Sequence, residues 1–193
     1  MRHLLLILAL AGSPATADPA EEAFGSANLQ VLEGSLPHRV LQRLRKSPSR
    51  FLEEAAGLIL GYGGPRGIDA NGIRTSIAVQ RAHIRAREIR KMLLADLDGD
   101  GRVTQEELRA LIAASAARSR GALLLFHKAA DRDDDGIVTL DEMRRQAQTV
   151  ALADVTEADE ALLLSFMSFD LDENGFVSLE EIGAAITVLG AKT

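Results

Sequence analysis

Three twelve-residue stretches carry oxygen donors at a fixed spacing: DLDGDGRVTQEE at 96–107, DRDDDGIVTLDE at 131–142 and DLDENGFVSLEE at 170–181. Each has an acid or amide at positions 1, 3 and 5, Gly at 6, Val at 8, Thr or Ser at 9 and Glu at 12. Short side chains on alternate residues converge on one point when a loop wraps round an ion. Oxygen donors alone suit a hard divalent cation. The donors are Asp96, Asp98, Asp100 and Glu107 in the first stretch, and Asp131, Asp133, Asp135 and Glu142 in the second. In the third they are Asp170, Asp172, Asn174 and Glu181. Gly at position 6 permits the sharp turn where a Cβ would clash.

Helices must hold such loops, and their signals are present. Thr104, Thr139 and Ser178 each stand three residues before the closing Glu, which is a capping-box sequence that starts a helix. The apolar-periodic stretches 108–112, 122–130 and 160–169 lie between the loops and read as helices. Leu108, Leu111 and Ile112 follow the first loop at helical spacing; Phe166 and Phe169 precede the third, and Ile182, Ala185 and Ile186 follow it.

The windows match D-x-[DN]-x-[DN]-G-x5-E, so residues 96–193 resemble the EF-hand calcium-binding family. The resemblance implies an all-α fold of helix–loop–helix repeats, with short two-stranded β-bridges between paired loops. Val103, Val138 and Val177 would form those bridges. It also implies about three Ca²⁺ ions. The position-7 carbonyls of Arg102, Ile137 and Phe176 would join the side-chain donors, position 9 would act through water, and each Glu would bind bidentately. Glu at position 12 favours Ca²⁺ over the tighter octahedron of Mg²⁺. Asn174 leaves the third loop one carboxylate short of the others, so the third site is expected to be the weakest.

Paired loops are the family's habit, and three leave one without an obvious partner. The stretch GIDANGIRTSIA at 67–78 is the candidate fourth. With Gly72 at position 6, Asp69, Asn71 and Thr75 fall at positions 3, 5 and 9, but Gly67 and Ala78 replace the first acid and the last Glu. It reads as a vestigial, metal-free hand or as a Gly-rich turn before a helix, the turn being favoured. Residues 79–95 contain no Gly or Pro and read as one continuous helix, into which the helix–turn–helix that joins paired loops does not fit easily. Residues 143–169 contain a fresh helix start at Thr156 with Asp159. The second and third loops are therefore the favoured pair. The first would pair with 67–78, or with the second if Gly121 breaks the helix between them.

The rest of the chain bounds the setting. It has 193 residues and no cysteine, so neither disulfides nor thiolate sites can form. Residues 1–17 have a basic start, the apolar run LLLILALA and a small-residue cleavage site, which is the pattern of a signal peptide. Export to the periplasm or beyond is expected. Charge is segregated, with a net +4 over 18–95 and −11 over 96–193. Three Ca²⁺ would bring the mature chain from −7 to about −1, relieving repulsion among the loops.

The basic segments 37–46 and 76–91 read as solvated helix faces packed on the acidic half, with contact to anionic lipid, nucleic acid or an acidic partner as the other reading. No nucleic-acid partner is expected of an exported protein. His38, His83 and His127 have no ligand-like spacing, and no catalytic motif stands out, so no enzyme is expected. Two binding roles remain: calcium held structurally or as a buffered ion, or calcium that exposes an apolar groove to a protein partner. Sensor grooves tend to be Met-rich. With only Met92, Met143 and Met167 after the leader, the first role is favoured.

Overall fold

The computed structural model describes residues 26–190; the leader at 1–17 lies outside them. The helices follow the local signals closely. Helices α1 (Ser26–Ser35), α2 (His38–Lys46) and α3 (Pro48–Tyr62) come first, with Pro48 at the opening position of α3, where its missing N–H costs nothing. Helix α4 (Ala70–Leu93) is unbroken over 24 residues, and the Asp69 side chain caps it by accepting Gly72 N–H at 2.7 Å. Strand β1 (Arg102–Thr104) leads into α5 (Gln105–Ala114), and α6 (Ala117–Ala130) leads through the second loop to β2 (Ile137–Thr139) and α7 (Leu140–Asp154). Helix α8 (Glu157–Leu164) and a 3-10 turn (Ser165–Phe169) precede the third loop, and α9 (Leu179–Gly190) follows it. Capping boxes start α5, α7 and α8, at Thr104, Thr139 and Thr156.

Two apolar clusters result. One gathers Leu32 and Leu44 from the first helices, Phe51 and Ile59 from α3, Ile73 and Ile77 from α4, and Phe169, Ile182 and Leu189 around the third loop. The other gathers Met92, Val103, Leu108, Leu123, Phe126, Val138 and Met143 around the first two loops. The aromatic content is low, yet Phe169 is fully buried and touches both Phe51 and Phe166, with ring centroids 5.7 and 5.4 Å apart.

Helices α4 and α7 run between the clusters and pack on each other. Here the basic segment 76–91 meets the acidic half, as its sequence suggested. The Arg81 guanidinium donates to the Val155 carbonyl at 3.0 and 3.2 Å and to Glu160 at 3.0 Å. Arg85 donates to Gln148 and Arg87 to Asp154, each at 3.3 Å. The earlier basic segment behaves in the same way. Leu44 is fully buried, Val40 and Leu41 pack beside it, and Arg45 donates to the Leu189 carbonyl and pairs with Glu33.

The loop pairing differs from the expectation. Strands β1 and β2 are antiparallel, with Val103 opposite Val138, so the first loop pairs with the second. The helix between them is broken at Ser115 and Ala116, both extended at ψ 153° and 152°, whereas Gly121 lies inside α6. The third loop does not pair with the second. Its Val177 bridges Ile68, exchanging backbone hydrogen bonds of 2.8 and 2.9 Å.

Candidate metal centre

Each acidic loop folds on the same backbone plan. The position-1 carboxylate accepts the position-6 N–H: Gly101 to Asp96 at 3.0 Å, Gly136 to Asp131 at 3.0 Å and Gly175 to Asp170 at 2.8 Å. The position-5 side chain accepts the position-7 N–H: Arg102 to Asp100, Ile137 to Asp135 and Phe176 to Asn174, at 2.7–2.8 Å. The closing Glu accepts from both ends of its loop. Glu107 takes Leu97 N–H at 3.0 Å and Thr104 N–H at 2.9 Å. Glu142 takes those of Arg132 and Thr139, and Glu181 takes those of Leu171 and Ser178.

These bonds bring three carboxylates together in every loop: Asp96, Asp98 and Glu107; Asp131, Asp133 and Glu142; Asp170, Asp172 and Glu181. Within each triad one oxygen per residue lies within 4.8 Å of the others. Asp100 and Asp135 are not drawn into the triads. The residues at position 7, Arg102, Ile137 and Phe176, lie just beyond the turn, the first two at the start of their strands.

The electrostatics call for a cation. Like charges packed this closely repel. Glu142 and Glu181 are 5% and 1% exposed, and neither has an ion-pair partner among the described residues. Both accept hydrogen bonds from backbone N–H groups and a hydroxyl. Thr139 and Arg132 keep the Glu142 carboxyl below the usual carboxylate range, and Thr104 with Leu97 does the same for Glu107. Asp131 Oδ1 is buried with no hydrogen-bond partner. An orphaned carboxylate oxygen beside two other carboxylates is where an ion belongs. The oxygen-only donor set and the small loops fit Ca²⁺.

A feature absent from the motif is the backbone at position 4. Gly99, Asp134 and Glu173 all have positive φ, at 78°, 56° and 58°. The first loop meets this demand with Gly, while the other two hold an L-residue in the left-handed region.

The segment opposite the third loop has a register other than the one its Gly72 suggested. Ile68 faces Val177, so Ile68 takes position 8 and the equivalent loop is 61–72, not 67–78. Asp69 then stands at position 9 and caps α4, just as Thr104 and Thr139 cap their helices. Ala70 opens its helix at position 10, as Gln105, Leu140 and Leu179 do. Thr75 is not a cap; it lies within α4 and its hydroxyl donates to the Asn71 carbonyl at 2.9 Å. The ligand positions are Gly61, Gly63, Pro65 and Gly72, none with a side-chain oxygen. Contact with the third loop is nonetheless tight. The Arg66 guanidinium sits 3.9 Å over the Phe176 ring, and Gly67 (φ 113°) approaches the Val177 carbonyl so closely that a Cβ would lie 2.2 Å from its oxygen.

His127 is buried, with Nε2 3.4 Å from the Val103 carbonyl. Two stretches, 89–112 and 165–186, match the family model described as EF hand, and so take in the first and third loops. Comparison with curated proteins and with solved structures gives no match. Repeated helix–loop–helix units, three acidic triads, the short antiparallel ladder and the two family matches together make this an all-α fold of EF-hand type.

Proposed function

We propose that this chain is an exported calcium-binding protein in which the ion is held structurally or as a buffered store. The observation that carries this reading is the triad of converging carboxylates, built three times on one hydrogen-bond plan, with the Asp131 oxygen left partnerless in the second. Asp96, Asp98, Asp100, Glu107 and the Arg102 carbonyl would hold the first ion. Asp131, Asp133, Asp135, Glu142 and the Ile137 carbonyl would hold the second, and Asp170, Asp172, Asn174, Glu181 and the Phe176 carbonyl the third. Bound Ca²⁺ supplies positive charge and a demand for oxygen that the loops satisfy. The chain's own part is to preset the cradle, since each closing Glu already ties both ends of its loop. The leader-like residues 1–17 support a periplasmic or secreted setting, where extracellular modules work at roughly 10⁻⁴–10⁻³ M Ca²⁺.

The structural role draws support from the first two helices. Leu32, Leu36 and Leu44 already pack with Ile182 and Leu189 of α9, filling the apolar face that a partner helix would otherwise take. A second reading, calcium-dependent capture of a protein partner, draws on a hollow of ≈ 550 Å³ lined by Val40, Phe51, Leu58, Leu162, Leu163 and Phe166. Calorimetric calcium titration with a hydrophobic dye present tests both. Three ions bound without dye uptake is the expected result. Dye uptake on loading would favour the partner role, and no binding would refute the calcium reading altogether.

A further inference from the structure

The second loop has a neighbour that calcium binding does not use. A hollow of ≈ 490 Å³ lies between the end of α6 and the flank of α7. Three arginines line it: Arg132 from the loop, and Arg144 and Arg145 from α7. Among the described residues the only carboxylate in the lining is Glu142, and its oxygens are engaged by Arg132 N–H, Thr139 N–H and the Thr139 hydroxyl. Among the described residues, the guanidiniums of Arg132 and Arg145 have neither an ion-pair partner nor a hydrogen-bond acceptor. Arg144 has one, Asp141 at 3.1 Å, but that pair is 60% and 76% exposed and worth little. Gln148 also lines the hollow; its carbonyl oxygen is taken by Arg85, which leaves its amide N–H groups as donors. In a half of the chain with a net charge of −11, three cations gathered in one concavity stand out: among the described residues only Arg144 is in an ion pair, and Arg145 acts on Glu142 from a longer distance.

We infer that this hollow is a binding site for a tetrahedral oxyanion, a phosphate or sulfate group. Guanidinium forks match such groups because each offers two parallel N–H donors to two oxygens, and three forks can serve the several oxygens of a tetrahedral anion at once. Ala129 and Ala130 add an apolar wall, and the volume leaves room for an organic ester group beside the anion. The site is coupled to the metal centre through two residues. Arg132 is covalently next to Asp131, and Glu142 is shared by the cradle and the hollow. An ion in the second loop would offset Glu142, the carboxylate in the lining that opposes an anion. By reciprocity the anion then tightens calcium at that loop. Only this coupling rests on the calcium reading; the oxyanion site itself stands without it.

The test is a titration of the isotope-labelled whole chain, followed by arginine Nε–H resonances. The probes are inorganic sulfate and, separately, phenyl phosphate, each with and without calcium. The Arg132 and Arg145 resonances are expected to move together and to saturate. Tighter binding of phenyl phosphate assigns the site to an ester, and equal binding to the free anion. Arg145→Gln is expected to weaken binding about tenfold, whereas Arg118→Gln, at the far end of α6, leaves it unchanged. Calcium is expected to lower the half-saturating concentration about fivefold. Linear, unsaturating shifts in both protein forms would overturn the site, as would equal losses in the two variants. Saturation that ignores calcium, in a protein shown by calorimetry to bind it, would overturn the coupling alone.

Discussion

Gly67→Ala probes the pairing of the third loop with its ligand-free partner. At Gly67 a Cβ would lie 2.2 Å from the Val177 carbonyl oxygen and 2.7 Å from its carbon, both rigid backbone atoms. The φ of 113° adds strain of about 1–2 kcal/mol for an L-residue. The clash is relieved only by parting the two bridged segments, which gives up the Ile68 to Val177 hydrogen bonds of 2.9 and 2.8 Å. Each is worth about 1 kcal/mol, so the total loss is about 3–4 kcal/mol, well above an ordinary point mutation. Urea unfolding of the calcium-free protein should show this as a lower midpoint with an unchanged slope. If about 1.4 kcal/mol of it falls on the loaded third loop, calcium affinity there drops about tenfold. The first two sites should keep theirs, because their ladder lies in the other cluster. Gly64→Ala is the control: nothing lies within 4 Å of its Cβ position, and its effect should stay within about 1 kcal/mol. Equal effects of the two substitutions would refute the argument, and so would a shift shared by all three sites.

The ladder between Val103 and Val138 couples the first two sites, so Glu142→Gln should abolish the second, weaken the first and spare the third, as read by calorimetry. Glu181→Gln should touch the third alone. Arg81→Ala removes three hydrogen bonds from a side chain only 18% exposed and leaves Glu160 and the Val155 carbonyl without them, which should cost about 2–3 kcal/mol in urea unfolding. Acid should also destabilise the metal-free protein. Thr156 holds the Asp159 carboxyl low; at Glu88 burial pushes upward, and the bonds from Lys91 and Arg87 outweigh it. Both groups bind fewer protons folded than unfolded. Their stabilisation is therefore complete above about pH 5, declines through the ordinary carboxylate range and is lost below the folded values. A urea midpoint that rises on acidification from pH 6 to 3 would contradict this.

The acidic loops were legible because their chemistry is local. Side-chain donors, turn glycine and capping box all lie within twelve residues, so spacing alone finds the triads and the starts of α5 and α7. The segment at 61–72 was misread for the opposite reason. With no ligands to anchor it, Gly72 offered the only apparent register, and it was a helix residue rather than a turn. What does persist in such a loop is an apolar residue followed by a cap. Ile68-Asp69 stands where Val103-Thr104, Val138-Thr139 and Val177-Ser178 stand, and that pair would have set the register correctly. Position 4 was missed because Asp134 and Glu173 give no sign of a left-handed backbone.

Pairing, by contrast, is a property of helix lengths. At about 1.5 Å per residue, α4 holds its two ends roughly 36 Å apart, whereas laddered loops lie about 5 Å apart. The loop before α4 therefore cannot pair with the loop after it. The first loop must look downstream, and the break at Ser115 and Ala116 folds α6 back so that the second loop meets it. Once those two are joined, α7 carries the chain along α4 to the cluster where α3 ends, and Arg81 fastens the end of α7 there through the Val155 carbonyl. The third loop then has a single surface left to pair with, the one that carries Ile68. A chain with three acidic loops thus draws on a fourth loop for its fold even where that loop has no side-chain oxygen at its ligand positions. At its position 7 Gly67 lets the backbone come against the Val177 carbonyl, and at position 6 Arg66 stacks on the Phe176 ring, so the segment meets the third loop by close packing rather than by offering oxygen.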